Sequence, residues 1–180
     1  QAAFTDYGQY LDSLEMTATI HGFEPLYIQR IAQLTNKSNQ FNLTTLRCSE
    51  DDIRAMAADA DALCLCGKLV DKFGDNGIVT VVAGKRQGDL LDLTLWLMSC
   101  RVLKRGMEDA MMDTLMAQAA AAGVKTVVGH YYPTAKNAMV RDFYAQFGFA
   151  KTAEDAEGNT EWRLEVSGYE PKHPHMKIER

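Results

Sequence analysis

The stretch from Ser99 to Met112 reads SCRVLKRGMEDAMM. It holds a thiol, Cys100, then three cations, Arg101, Lys104 and Arg105, and one glycine, Gly106. An apolar run, LLDLTLWLM, stops just before it, and a helical pattern starts inside it. A thiol beside cations and ahead of a helix start favours the thiolate, the form that attacks carbonyls. The unpaired N–H groups at that start attract an anion, and the cations add full charges. Phosphate or pyrophosphate is the ligand this pattern predicts. Cations oppose the helix dipole at that end, so without an anion they are badly placed unless they are simply solvated.

Other groups could join this chemistry. His130 lies near the carboxyl end of the strand pattern 125–132. If that strand runs beside 89–98, His130 approaches Cys100, and a Cys–His pair suits an acyl-enzyme intermediate. An inert cysteine with an unrelated histidine is the alternative. Asn39, Gln40, Asn42 and Thr44 surround Phe41 and could bond a hydroxyl-bearing substrate or merely cap a loop. Thr134 reads as a helix N-cap, and Lys136 just after it could meet a phosphate. Cys64 and Cys66 form CxC on one face of a strand and read as small buried hydrophobes. No second Cys/His pair follows at ligand spacing, so no metal is expected. The tail KHPHMKIER reads as a solvated end.

The elements that must position these groups follow from periodicity. Helices are predicted over 4–14, 24–35, 49–58 (capped by Ser49), 105–122 and 135–147. Strands are predicted over 15–22, 62–71, 77–86, 89–98, 125–132, from Gly148 onward, and over 161–166. KFGDNG and RQGD read as hairpin connections, which implies an antiparallel meander. Strand, helix 105–122 and strand make a βαβ unit with parallel strands. The fold class is α+β, a mixed and mostly antiparallel sheet flanked by helices, with a central parallel βαβ unit. A chain of 180 residues suits one such domain. The expected organisation is an N-terminal helix over 1–14, a domain over 15–166 and a tail over 167–180. A net charge of −5 argues against nucleic acid as a partner. With no apolar run of membrane length and no signal peptide, no membrane is expected and the cytoplasm is the default.

On Arg101-Val-Leu-Lys-Arg-Gly106 and KNAMVRDFYAQFGF, the chain resembles the GNAT acyltransferase superfamily. The family's anion loop is Gln/Arg-x-x-Gly-x-Gly/Ala, and Lys104 stands where its central glycine would be. The resemblance implies that Arg101, Lys104, Arg105 and Gly106 hold the phosphates of coenzyme A or of phosphopantetheine. It also implies that Asn137 orients the arm and that Tyr144 protonates a leaving thiolate. The two central strands would splay, leaving strand edges for the pantetheine amides.

Five further stretches resemble the C-terminal half of FkbH-like proteins: SLEMTATI, RIAQLTNKSNQFNLTT, DKFGDNGIV, SCRVLKRGME and YYPTAKNAMVRDFYAQFGF. In that family a haloacid-dehalogenase-like phosphatase half precedes a GNAT-like half, and a glyceryl group held as a cysteine thioester passes to an acyl carrier protein. Cys100 matches the cysteine of the family's SCR motif. The phosphatase motif Asp-x-Asp-x-Thr is lacking, so the chain is expected to be a fragment or split partner that performs the transfer half.

The reading is therefore an acyltransferase with Cys100 as the acyl carrier and His130 or Tyr144 managing protons. Its implied partners are an acyl carrier protein and a phosphatase half. An acetyl-coenzyme A N-acetyltransferase, or a non-catalytic carrier-docking module, are the alternatives.

Overall fold

The computed structural model describes residues 6–180. Asp6 caps α1 (Tyr7–Ser13), its carboxylate accepting the Gln9 N–H. Then come β1 (Thr17–His21), a turn of 3₁₀ helix and α2 (Ile28–Lys37). α3 (Glu50–Ala58) opens on a capping box, with Ser49 and Asp52 each bonding the other's backbone N–H. The meander is β2 (Ala62–Asp71), β3 (Gly74–Gln87) and β4 (Leu90–Met98). α4 (Met107–Ala121) and β5 (Thr126–Tyr131) complete the βαβ unit, followed by β6 (Ala150–Glu154), β7 (Thr160–Glu165) and β8 (Lys177–Glu179). The predicted start of α1 at residue 4 lies outside the described residues.

Among the described residues, eight strands form one sheet in the order β6-β7-β5-β4-β3-β2-β1-β8. The β4–β5 and β1–β8 pairs are parallel and the others antiparallel. α4 covers one face, where Met107, Met111 and Leu115 join Leu65, Val79 and Trp96. Its approach is close: a Cβ on Gly67 would meet Met107 Cε at 2.4 Å and Met111 Sδ at 2.9 Å. α2 and α3 cover the other face through Ile31, Leu34 and Ile53, packed on Cys66, Val81 and Leu97. The expected α+β class and parallel βαβ unit are both present.

Two elements differ from expectation. Residues 135–147 are not an α-helix but two short 3₁₀ turns, Ala138–Val140 and Tyr144–Phe147. Backbone bonds there span three residues, as in Val140 N–H to Asn137 O and Phe143 N–H to Val140 O. Thr134 Oγ1 accepts the N–H groups of Lys136 and Asn137, and Asn137 Oδ1 accepts that of Thr134, so side chains take the groups that would start a helix. Thr134 is thus a turn residue. The tail is not a solvated end. β8 pairs with β1, and Asp113 on α4 accepts the Tyr169 hydroxyl and the N–H groups of Lys172 and His173.

Candidate functional site

β4 and β5 pair only at Leu90–Asp92 against Thr126–Val128. Beyond that they diverge, as the GNAT resemblance implies, but the opened edge is not free. Residues 41–43 lie in the gap. The Leu43 N–H donates to Trp96 O at 3.0 Å and the Met98 N–H to Phe41 O at 3.0 Å, with an antiparallel bridge between Asn42 and Leu97. On the other side the Tyr132 N–H donates to Leu43 O at 2.9 Å. The Thr44 hydroxyl donates to Thr94 O. The chain's own backbone occupies the β4 edge expected to receive pantetheine amides.

This insertion explains several predicted site residues. Asn42 is fully buried, its amide N–H donating to Ser38 O and its Oδ1 accepting the Thr45 N–H. Asn137 is also fully buried; it donates to Asn42 O and Tyr132 O and accepts from Thr134 N and the Tyr131 hydroxyl. Asn42, Thr44 and Asn137 have their polar groups committed to holding the gap shut. Tyr144 is 1% exposed, and its ring fills the space where a Cβ on Gly129 would lie, 2.4 Å from Tyr144 Cζ. It stacks edge-on to Trp96 and Phe143. Burial, and secondarily the Asp92 charge, push its hydroxyl far up, so it is a poor acid. It acts as a core wedge, not as a proton donor to a thiol.

The expected Cys100–His130 pair does not form. His130 Nε2 sits 2.5 Å from Asp92 Oδ1, at the root of the divergence. Asp92 precedes Met98 by six residues of extended strand, roughly 20 Å. Cys100, exposed beyond the far end, donates its S–H to Gln40 Oε1 at 3.2 Å.

At the start of α4, the expected phosphate seat, a cleft of about 340 Å³ sets Lys104 beside two carboxylates, Glu108 and Asp109. Arg105 pairs with the buried Asp71 carboxylate at 2.7 Å, which holds Asp71 below the usual carboxylate range against the cost of its burial. Lys104 adopts a left-handed φ of 62°, and its carbonyl accepts the Tyr7 hydroxyl. The Gly106 N–H donates to Glu108 Oε1, and Pro174 of the tail lies against Gly106. Burial, with Asp109 beside it, pushes the Glu108 carboxyl up to about 7. With the Gly106 N–H taken by Glu108 and two carboxylates in the lining, this seat is a poor fit for the phosphates of coenzyme A.

What the fold does assemble lies at the α2 side of the β4 terminus. A cleft of about 660 Å³ is lined by Cys100, Arg101, Ser99, Asn39, Gln40 and Lys136, all but Ser99 predicted as site residues. Arg30, Leu34 and Lys37 of α2, with Ser38 and Met98, complete it. Asn39 Oδ1 accepts from Arg47, whose guanidinium also bonds Ser38 O and so fixes the loop that carries Gln40. Arg30 and Lys37 were not anticipated. Their i, i+7 spacing about Leu34 marks one face of α2, a signal whose meaning depends on α2 lying over Cys100. Among the described residues, no cluster of His, Cys, Asp and Glu could hold a metal ion. No helix among them is long and apolar enough to cross a membrane.

No family model matches the chain, and no curated protein does. Solved structures do. The ribosomal-protein-S18-alanine N-acetyltransferase from Escherichia coli matches with a TM-score of 0.62 at 14% identity, over 83% of this chain and 94% of that one. Ard1 from Thermoplasma volcanium matches with a TM-score of 0.63 at 17% identity, over 83% and 97%. Spermidine N-acetyltransferase from Vibrio cholerae, in complex with CoA and spermine, matches with a TM-score of 0.61 at 10% identity, over 83% and 96%. With its mixed sheet, divergent central strands and flanking helices, the chain has the fold of the GNAT acetyltransferases.

Proposed function

We propose that this chain is an acyltransferase domain that carries its acyl group as a thioester on Cys100. The acceptor is the phosphopantetheine thiol of an acyl carrier protein, and the group is of the glyceryl type that the FkbH-like resemblance implies. The observation that carries this reading is an exposed cysteine at the end of β4, opening into a cleft lined by cations and amides.

The chemistry is a pair of exchanges. The Cys100 thiol loses its proton to solvent at the cleft mouth. The thiolate attacks the donor carbonyl, the donor's leaving group departs with its electron pair, and a Cys100 thioester results. The carrier thiolate then attacks that carbonyl, and the Cys100 thiolate leaves. When the donor is a thioester and the acceptor a thiol, each exchange trades one thioester for another and is nearly balanced in energy, so positioning and stabilisation of the transient oxyanion carry the rate. Gln40, beside the sulfur, and Arg101, next in the chain, are the groups suited to that task. A phosphatase-type partner that loads the group belongs to the same reading.

Likeness in fold to N-acetyltransferases favours a second reading, direct transfer from acetyl-coenzyme A to an amine. The filled β4 edge and the acidic start of α4 weigh against it. Intact-mass measurement after incubation with a glyceryl- or acetyl-thioester donor separates the two. An acyl-sized increase that vanishes in Cys100→Ala is expected. Amine acetylation that survives Cys100→Ala, with no protein adduct, would establish the second reading. A carrier protein bound without any adduct would leave only a docking module.

A further inference from the structure

The cleft beside Cys100 carries four cations and, among the described residues, no carboxylate: Arg30, Lys37, Arg101 and Lys136. None of the four makes an ion pair there, whereas Arg105 nearby pairs with Asp71. The two arginines are held side by side. The Arg30 guanidinium reaches Ile78 O at 3.5 Å, and that of Arg101 reaches Asn76 O at 3.2 Å, carbonyls two residues apart on β3. Burial, and then repulsion from Arg101, push Arg30 below its ordinary range. Two guanidinium groups held together without a counter-ion are unfavourable until an anion bridges them. Lys37 lies two helical turns from Arg30, roughly 10 Å along α2, so the positive charge runs the length of the cleft.

We propose that Arg30, Arg101, Lys37 and Lys136 form a binding site for a phosphate ester, on the face of the sheet opposite α4. The site recognises the phosphate of the molecule that exchanges its acyl group with Cys100; only that last identification rests on the function proposed above. The two arginines bridge the phosphate oxygens, and the lysines screen its remaining charge. A nucleic acid is poorly suited, since no aromatic side chain lines the cleft to stack a base and the chain's net charge is −5. The phosphate could belong to a compact phosphorylated acyl compound or to a phosphopantetheine arm.

Calorimetric titration of the Cys100→Ser protein tests this without any transfer step. The probes are glycerol 3-phosphate, 4′-phosphopantetheine and inorganic sulfate. Phosphate-ester binding that weakens with added salt is expected. Each of Arg30→Gln and Arg101→Gln should lower affinity roughly tenfold, the loss that goes with one charged hydrogen bond. Lys136→Gln and Lys37→Gln, at exposed positions where folding is not at stake, should each weaken binding less, and Lys104→Gln should leave it unchanged. Tighter binding of glycerol 3-phosphate assigns a compact ligand, and tighter binding of phosphopantetheine assigns the arm. Absence of binding to either ester, equal affinity for sulfate, or loss in Lys104→Gln but not in the arginine variants would overturn the site. Binding without a Cys100 acyl adduct in the wild-type protein would keep the site and sink the proposed function; an adduct without binding would do the reverse.

Discussion

Glu108 shows how a single side chain can oppose the sequence pattern around it. It caps the Gly106 N–H, yet it is held beside Asp109 in a largely desolvated place, and its carboxyl titrates at about 7 instead of 4.5. Between those values the folded protein keeps a proton that the unfolded chain has released. Stability from this group is therefore full below pH 4.5 and is lost as pH rises through 7. In thermal melts Glu108→Gln should be more stable than wild type at pH 8, by up to about 3 kcal/mol, with the gap closing toward pH 4. A variant whose melting temperature follows wild type across that range would contradict the assignment. Thr45 is a second local conflict. It is β-branched, holds a φ of 56°, and its buried hydroxyl has no partner. Thr45→Gly should raise stability by about 1 kcal/mol in denaturant titrations, because glycine alone enters the left-handed region freely. Destabilisation would mean that the methyl group's packing outweighs the strain.

At the scale of elements, the divergence of β4 from β5 is held open by a wedge and closed by an insert. Tyr144 is the wedge, and it fits only because residue 129 has no side chain. Gly129→Ala should cost about 3 kcal/mol by overpacking, read as a lowered melting temperature, and Tyr144→Leu in that background should recover part of it. No recovery would place the strain elsewhere.

The same region marks how far sequence reading reaches. Strands 62–71 and 89–98 and the Ser49-capped helix were legible because alternation, turns and caps are local signals. The 3₁₀ character of 138–147 was not, because it depends on Asn137 bonding the carbonyl of Asn42, far away in sequence. At the candidate site, Cys100, Arg101, Gln40, Asn39 and Lys136 were legible by type and position. Arg30 and Lys37 were not, since a cation on an exposed helix face acquires meaning only from what the helix lies over. Of the anion-loop motif, Arg101 and Gly106 matched in sequence, but the neighbours that crowd its helix start, Asp71 on Arg105, Glu108 and Pro174 on Gly106, are brought there from other elements or the next turn and were not legible.

For the molecule as a whole, the tail is a strap across α4 with its buckle at Asp113. That carboxylate takes the Tyr169 hydroxyl and two backbone N–H groups, so Asp113→Ala leaves three donors without their acceptor. Hydrogen exchange should quicken at Lys177–Glu179 and along β1, with the central strands unchanged. Uniform loss of protection would show that the strap is inseparable from the core.

The strap sets an order of assembly. β1 finds one of its two neighbours only in β8, at the other end of the domain, and residues 41–43 are stitched to Trp96 and Tyr132. During translation the outer edge of β1 therefore waits, unpaired and ready to add a foreign strand, until residues 177–179 leave the ribosome. Pairings that span nearly the whole chain close slowly. A domain closed by such pairings should thus draw on chaperones while it is being made.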